Sequence, residues 1–266
     1  MNKKTDPARE LADLLSTLAV QTNVRGDQFL ANTFGVEVWS KEFFELIFLI
    51  LERCDDLSGL IQNSDIDEDL KQGSIASINS LKPAFSANTM GNAWGDSVQR
   101  YLNPGNINSI RYTSISIKNY IQYNNLNEAE IGDVLSLVSE LVIWLQEHQL
   151  HEKDFIRQAL LDGLGKFKFK LERLKWVGWG YTVQSLREVM GAYLALEKGH
   201  VQGSEGDIYD AMYRKVVVGL KAIFEKIGAA KDLTESVEFA LKAYGFVTLC
   251  LHGGTPIAGL LTHIVE

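Results

Sequence analysis

The chain reads as an all-α protein, a bundle of about eight to ten helices running mostly antiparallel to their neighbours. Three observations predict this. Apolar residues recur at i, i+3, i+4 and i+7 along most of the 266 residues, the spacing that gathers them on one helix face. Only four residues are prolines, and each falls at a boundary of the apolar pattern, as a residue that cannot sit inside a helix must. Acceptor side chains followed three residues later by an acid precede several of the apolar runs, as capping boxes do.

The first helix spans about 7–21, with Leu11, Leu14, Leu15 and Leu18 on one face, Pro7 at its start and Thr5 or Asp6 as cap. The second spans 36–62. Its run from Phe43 to Leu51 is interrupted only by Glu45, so it is expected at the bundle centre, apolar on all sides. Asp65 and Glu68 predict a capping box for a helix over 66–81, which Pro83 ends. Between Pro83 and Ser109 the pattern fails, with Gly91, Gly95, Pro104, Gly105 and five asparagines. This predicts irregular chain around a short helix from Gly95 to Leu102. Residues 107–122 fit either a helix or a strand. A lone strand has no pairing partner, so helix is the expectation.

The second half is more regular. Asn127 and Glu130 predict a capping box before the stripe Ile131, Val134, Leu135, Val138, Leu141, Val142 and Leu145. Ile156, Leu160, Leu164, Phe167, Leu171 and Leu174 predict one helix over 152–177. Thr182 is expected to cap a helix that Gly199 stops. Ser204 with Asp207, and Asp232 with Glu235, open the last two. The expected organisation is one all-helical domain over 1–266, divisible into a looser N-terminal subdomain, 1–125, and a helical core, 126–266.

Composition narrows the function classes. The formal net charge is −8, and each half carries −4, so no basic footprint for nucleic acid is present. The two cysteines, Cys54 and Cys250, lie in apolar helical patterns and read as buried thiols of a reducing compartment. Residues 1–13 are charged and carry no apolar signal segment, which together predicts a bacterial-type cytoplasmic setting. The 23 residues from Ala243 to Val265 hold no formal charge. Gly253, Gly254 and Pro256 cut them into pieces shorter than the ~20 residues that cross a bilayer, so a core hairpin is expected before a membrane-inserting one.

Candidate sites follow from residue type and spacing. Trp94, Arg100, Tyr101, Arg111 and Tyr112 are residues of the kind that anchor interfaces, in the least regular stretch of the chain. Lys166, Lys170 and Arg173 share a helix face beside the Phe167–Leu171–Leu174 stripe, in a segment that runs into Trp176 and Trp179, and could hold a phosphate, an acidic partner or the headgroup zone of a membrane. The structural alternative is a solvated face whose lysine stems cover apolar surface. His148 and His151 are spaced to share a metal but lack the context of known zinc motifs, so no metal site is expected. Asp65, Asp67 and Asp69 begin like a calcium loop, but Leu70 and Ala76 stand where its glycine and bidentate glutamate belong. Phosphate-loop, dinucleotide and nucleophile-elbow motifs are absent, and no cofactor is expected. The leading expectation is a non-catalytic interaction or regulatory protein with a protein partner. The alternatives are a membrane-acting effector using the apolar C-terminal hairpin, and an enzyme whose site assembles from dispersed residues.

Overall fold

The computed structural model describes residues 4–117, 123–124, 126–149, 154–201, 207–227 and 239–252. It is an all-α multi-helix fold, as the spacing predicts. The helices are α1 (Pro7–Leu18), α2 (Gly26–Phe34), α3 (Lys41–Gln62), α4 (Glu68–Leu81), α5 (Ala87–Met90), α6 (Trp94–Arg100) and α7 (Pro104–Ile117). After these come α8 (Glu128–Glu147), α9 (Asp154–Glu172), α10 (Leu174–Val177), α11 (Trp179–Gln184), α12 (Leu186–Val201), α13 (Asp207–Lys226) and α14 (Phe239–His252). Two short strands, β1 (Lys4–Thr5) and β2 (Tyr123–Asn124), pair antiparallel and tie the chain start to the approach to α8.

The apolar residues form two clusters. The first takes the inward stripes of α1, α3, α4 and α7, including Leu11, Leu15, Ile50, Leu57 and Ile110. The second takes α8, α9, α12, α13 and α14, including Val138, Leu164, Met190, Leu220 and Ala243. Val177 crosses over. It belongs to the second half of the sequence but is buried in the first cluster. Its neighbour Trp176 packs edge-on against Phe34 at 5.2 Å.

Local chemistry accounts for the helix ends. Asp6 caps α1 by accepting from the N–H groups of Ala8 and Arg9, and its other oxygen accepts from the Ser114 hydroxyl at 2.6 Å. The Asn127–Glu130 capping box is complete, with both reciprocal bonds formed. Pro104 opens α7, which settles residues 107–117 as helix; residues 118–122 lie outside the described set.

Several expectations need correction. The predicted 36–62 helix starts at Lys41, because Ser40 accepts the N–H of Phe43 and so caps it there. A separate helix, α2, precedes it and ends where Gly35 turns left-handed at φ 69°, the conformation glycine adopts without strain. On α3, Phe44 and Phe48 are exposed by 40% and 59%, so the helix is buried on one face rather than all round. Asp67, not Asp65, caps α4. The stretch after Pro83 is a chain of short helices, not loop: a 3-10 turn at Lys82–Phe85, then α5, α6 and α7. The predicted 152–177 helix breaks at Arg173, which separates α9 from α10. Thr182 is buried inside α11, where its hydroxyl donates to the Gly178 carbonyl. Gly199 lies within α12. There it leaves room for Tyr209, since a Cβ would fall 2.2 Å from the tyrosine oxygen. The caps expected at Ser204 and Asp232 lie outside the described residues.

Candidate functional site

The helical turn at α10 and α11 joins the two halves. Arg53, on α3, occupies the buried stripe Leu46, Ile50, Arg53, Leu57 and is 6% exposed. Its Nη1 donates to the Trp176 carbonyl at 2.7 Å. The Tyr181 hydroxyl donates to Asp56. The backbone N–H of Trp179 donates to Glu10 Oε2 at 2.9 Å. Gly178 makes this approach possible: its φ is 85°, and a Cβ there would stand 2.8 Å from Arg53 Cζ and 2.9 Å from Glu10 Oε2. A side chain at this position would be both strained and obstructed.

Beside that junction lies a cleft of about 630 Å³ whose walls come from both halves. Glu10, Asp13, Leu14 and Thr17 line it from α1. They are spaced i, i+3, i+4 and i+7, the face of α1 adjacent to its buried leucine stripe. Glu128, Ile131 and Leu135 line it from α8, again at helical spacing. Leu171, Glu172, Lys175 and Trp179 complete it from the end of α9 and the turn beyond. The lining is therefore mixed, with apolar walls and convergent charged groups.

Glu10 is the most perturbed carboxylate here. Burial pushes its carboxyl up to about 7, with Asp6 and Asp13 adding to the rise, while Arg53 and the Trp179 N–H pull it down. It therefore titrates near neutral pH. The other charges are partly engaged. Asp13 pairs with Arg111 at 3.0 Å, the Lys175 ammonium sits 4.6 Å from the Trp176 ring centroid, and Glu172 is 3.6 Å from Arg173.

The residues singled out from the sequence are dispersed. Trp94 is fully buried, stacks on Phe29 at 5.5 Å, and donates its indole N–H to the Leu18 carbonyl at 2.8 Å. It closes the C-terminal end of α1 and is no surface anchor. Arg111 bonds Asp13 and Ser16, tying α7 to α1. Tyr112 is 67% exposed on α7. Arg100 lies over Tyr101 at 5.7 Å, and both line a separate small pocket.

The five anion-site candidates do not converge either. Lys166 pairs with Glu188 at 2.7 Å. Lys170 is held below its ordinary pKa by burial and reaches the Tyr181 carbonyl at 3.5 Å. Arg173 lies 4.0 Å over the Phe169 ring. Trp176 packs on the first cluster and Trp179 is 4% exposed in the second. Of the five, Trp179 alone lines the cleft.

His148 stacks on Trp144 at 3.9 Å, with Nδ1 2.8 Å from the Trp144 carbonyl; His151 lies outside the described residues. Among the described residues no group of three potential metal ligands assembles. Cys54 is fully buried and its thiol is pushed up to about 12 by that burial. A thiol that stays protonated is a poor nucleophile. Of the apolar C-terminal segment, Ala243 and Val247 lie in the second cluster, and 253–266 are not described. No described helix is long and apolar enough to cross a membrane.

Sequence reasoning missed Glu10, Arg53, Glu128 and Glu172. Arg53 had a signal: it is a charge on the apolar stripe of α3, where an unpaired cation costs too much to be buried. Glu10 had none, since an acid in the first turn of a helix is commonplace. Comparisons with family models, curated proteins and solved structures give no match to this chain.

Proposed function

We propose that the chain is a non-catalytic binding protein that holds a small organic molecule between its two helical halves. The observation that carries this reading is the cleft of about 630 Å³ at their junction. Small-molecule sites run to roughly 300–1,000 Å³, favour such junctions, and combine apolar walls with a few polar groups. A Glu10 carboxyl near 7 in that wall fits the tendency of perturbed groups to cluster at functional sites. The described lining offers carboxylates, threonines, an arginine and a lysine beside its apolar walls.

The test is a thermal-shift screen of a small-molecule library on the whole chain, repeated on Leu135→Trp, which fills the cleft. A ligand at 100 times its Kd stabilises by about 2.7 kcal/mol, or roughly 5–10 °C for a chain of this size. Hits that shift the wild type and not the variant support the reading. Hits that shift both equally refute it. Chemical conversion of a hit, abolished in Glu10→Gln, would replace it with the enzyme alternative and make Glu10 the general acid or base.

A second reading, a protein partner, is favoured by a different surface. Trp39, Phe44 and Phe48 form an exposed aromatic row, with Trp39 5.6 Å from Phe44 and Phe44 6.4 Å from Phe48. Trp39 has φ 60°, unusual for a bulky residue. Aromatic side chains of this kind anchor interfaces. Pull-down with Phe48→Glu tests it: a partner recovered as well by the variant as by the wild type rules this surface out.

A further inference from the structure

The aromatic row on α3 lies between opposite charges. Phe44 and Phe48 are one helical turn apart and exposed, and Trp39 extends the row beyond the N-terminal end of the helix. Lys41 stands three residues before Phe44, and Glu52 four residues after Phe48, so these four side chains project from one face. Read along the helix, that face runs cation, aromatic, aromatic, carboxylate. Both charges are available. The Lys41 side chain is 86% exposed and lies 3.5 Å from Glu45, an exposed pair of the kind that contributes little in water. Glu52 is exposed. Asp55, the next acid on this face, already pairs with Lys82.

Such a face is its own complement. Lys41 and Glu52 stand at nearly equal distances either side of the point midway between the two phenylalanines. When two copies of α3 lie antiparallel about a two-fold axis through that point, Lys41 of each copy comes opposite Glu52 of the other. The phenylalanines interleave between the two ion pairs. Parallel packing would instead set lysine against lysine and glutamate against glutamate. Closed two-fold pairs are the commonest assembly of identical chains, and complementary charge fixes the register in which they meet.

We propose that this face of α3 is the two-fold contact of a homodimer, each copy's aromatic row packing antiparallel on the other's. The inference rests on the second reading above and names the partner as another copy of the chain. Arg53, nine residues from Phe44, points to the opposite side of α3. The cleft it lines therefore stays open in the dimer. The 22 residues of α3 span about 33 Å, a face that predicts reversible, micromolar pairing and not an obligate interface.

Sedimentation velocity on the full chain over micromolar concentrations tests it. The average mass is expected to rise with concentration from 29.7 kDa toward twice that value. Phe48→Glu should weaken pairing at least about a hundredfold, as loss of a central aromatic anchor does, and should leave the circular dichroism spectrum unchanged, because the side chain is exposed. Lys41→Glu or Glu52→Lys alone sets like charges together twice per dimer, and each should weaken pairing about tenfold. Mixed in equal amounts, the two variants restore opposite charges at both contacts, and the mixture should pair as tightly as the wild type. A chain monomeric throughout, pairing unaltered by Phe48→Glu, or a mixture that pairs no more tightly than its components would each overturn the proposal. A monomeric chain that still captures a different protein through Phe48 would overturn the second copy alone and keep the surface.

Discussion

Replacing Glu10 with glutamine should make the protein more stable at alkaline pH, and the structure sets the size of the effect. Burial lifts the Glu10 carboxyl from 4.5 to about 7 against the pull of Arg53 and the Trp179 N–H. The groups around it are Asp6 and Asp13 on its own helix, Arg53 on α3 and Trp179 on α11; Glu128, Glu172 and Lys175 share the cleft. Because the folded value lies above the unfolded one, the folded state holds this proton more tightly. Its contribution to stability is complete below about pH 4.5 and is lost as pH rises through 7. A difference of 2.5 between those two values corresponds to about 3 kcal/mol at most. Glutamine resembles the protonated form and carries no ionisation to suppress. Glu10→Gln should therefore match the wild type within about 1 kcal/mol at pH 5 and exceed it by up to about 3 kcal/mol at pH 8. In a thermal melt this is roughly 6–12 °C. The assay is paired thermal and urea denaturation across pH 5–8. A variant no more stable than the wild type at pH 8, or a wild-type profile flat over that range, would refute the claim that the Glu10 carboxylate is desolvated.

Other substitutions probe the junction and the core. Gly178→Ala forces a Cβ against Arg53 at φ 85°; backbone strain and overpacking together should cost about 2–4 kcal/mol, seen as a lowered urea midpoint. Trp94→Ala should cost about 3–5 kcal/mol as a large buried aromatic, and unchanged stability would contradict its place in the core. Asn127→Ala should cost about 1 kcal/mol by removing the α8 cap, measurable by the same denaturation. Cys54 should resist alkylation at pH 7.5 in the native protein and react once urea unfolds it, read by peptide mass spectrometry. Rapid native labelling would contradict the buried, protonated thiol.

How much was legible differs from element to element. The leucine stripe of α1 and the Asn127–Glu130 box were plain, because both depend on neighbours within one helical turn, and both are formed. The break at Arg173 was not, since the apolar stripe continues through it. What interrupts the helix is a contact with Arg53, 123 residues away along the chain. Trp94 looked like a surface anchor because glycines and asparagines surround it. It is buried against Phe29 and Phe85, and its indole N–H meets the carbonyl of Leu18, 76 residues away, at the end of α1. Phe44 and Phe48 looked like core, because an apolar run does not reveal which of its sides finds a partner.

What the amino-acid order determined by itself was the class of the fold and most of its helices. Helical hydrogen bonds, caps and apolar faces are local, and their spacing is written in consecutive residues. What only the tertiary structure decided was which faces meet. The cleft, the raised Glu10 carboxyl and the peg formed by Trp176 and Val177 exist because distant segments pack against one another. Desolvation depends on every atom nearby rather than on neighbours in the chain, so an acid in an ordinary first turn became the group that titrates near neutrality.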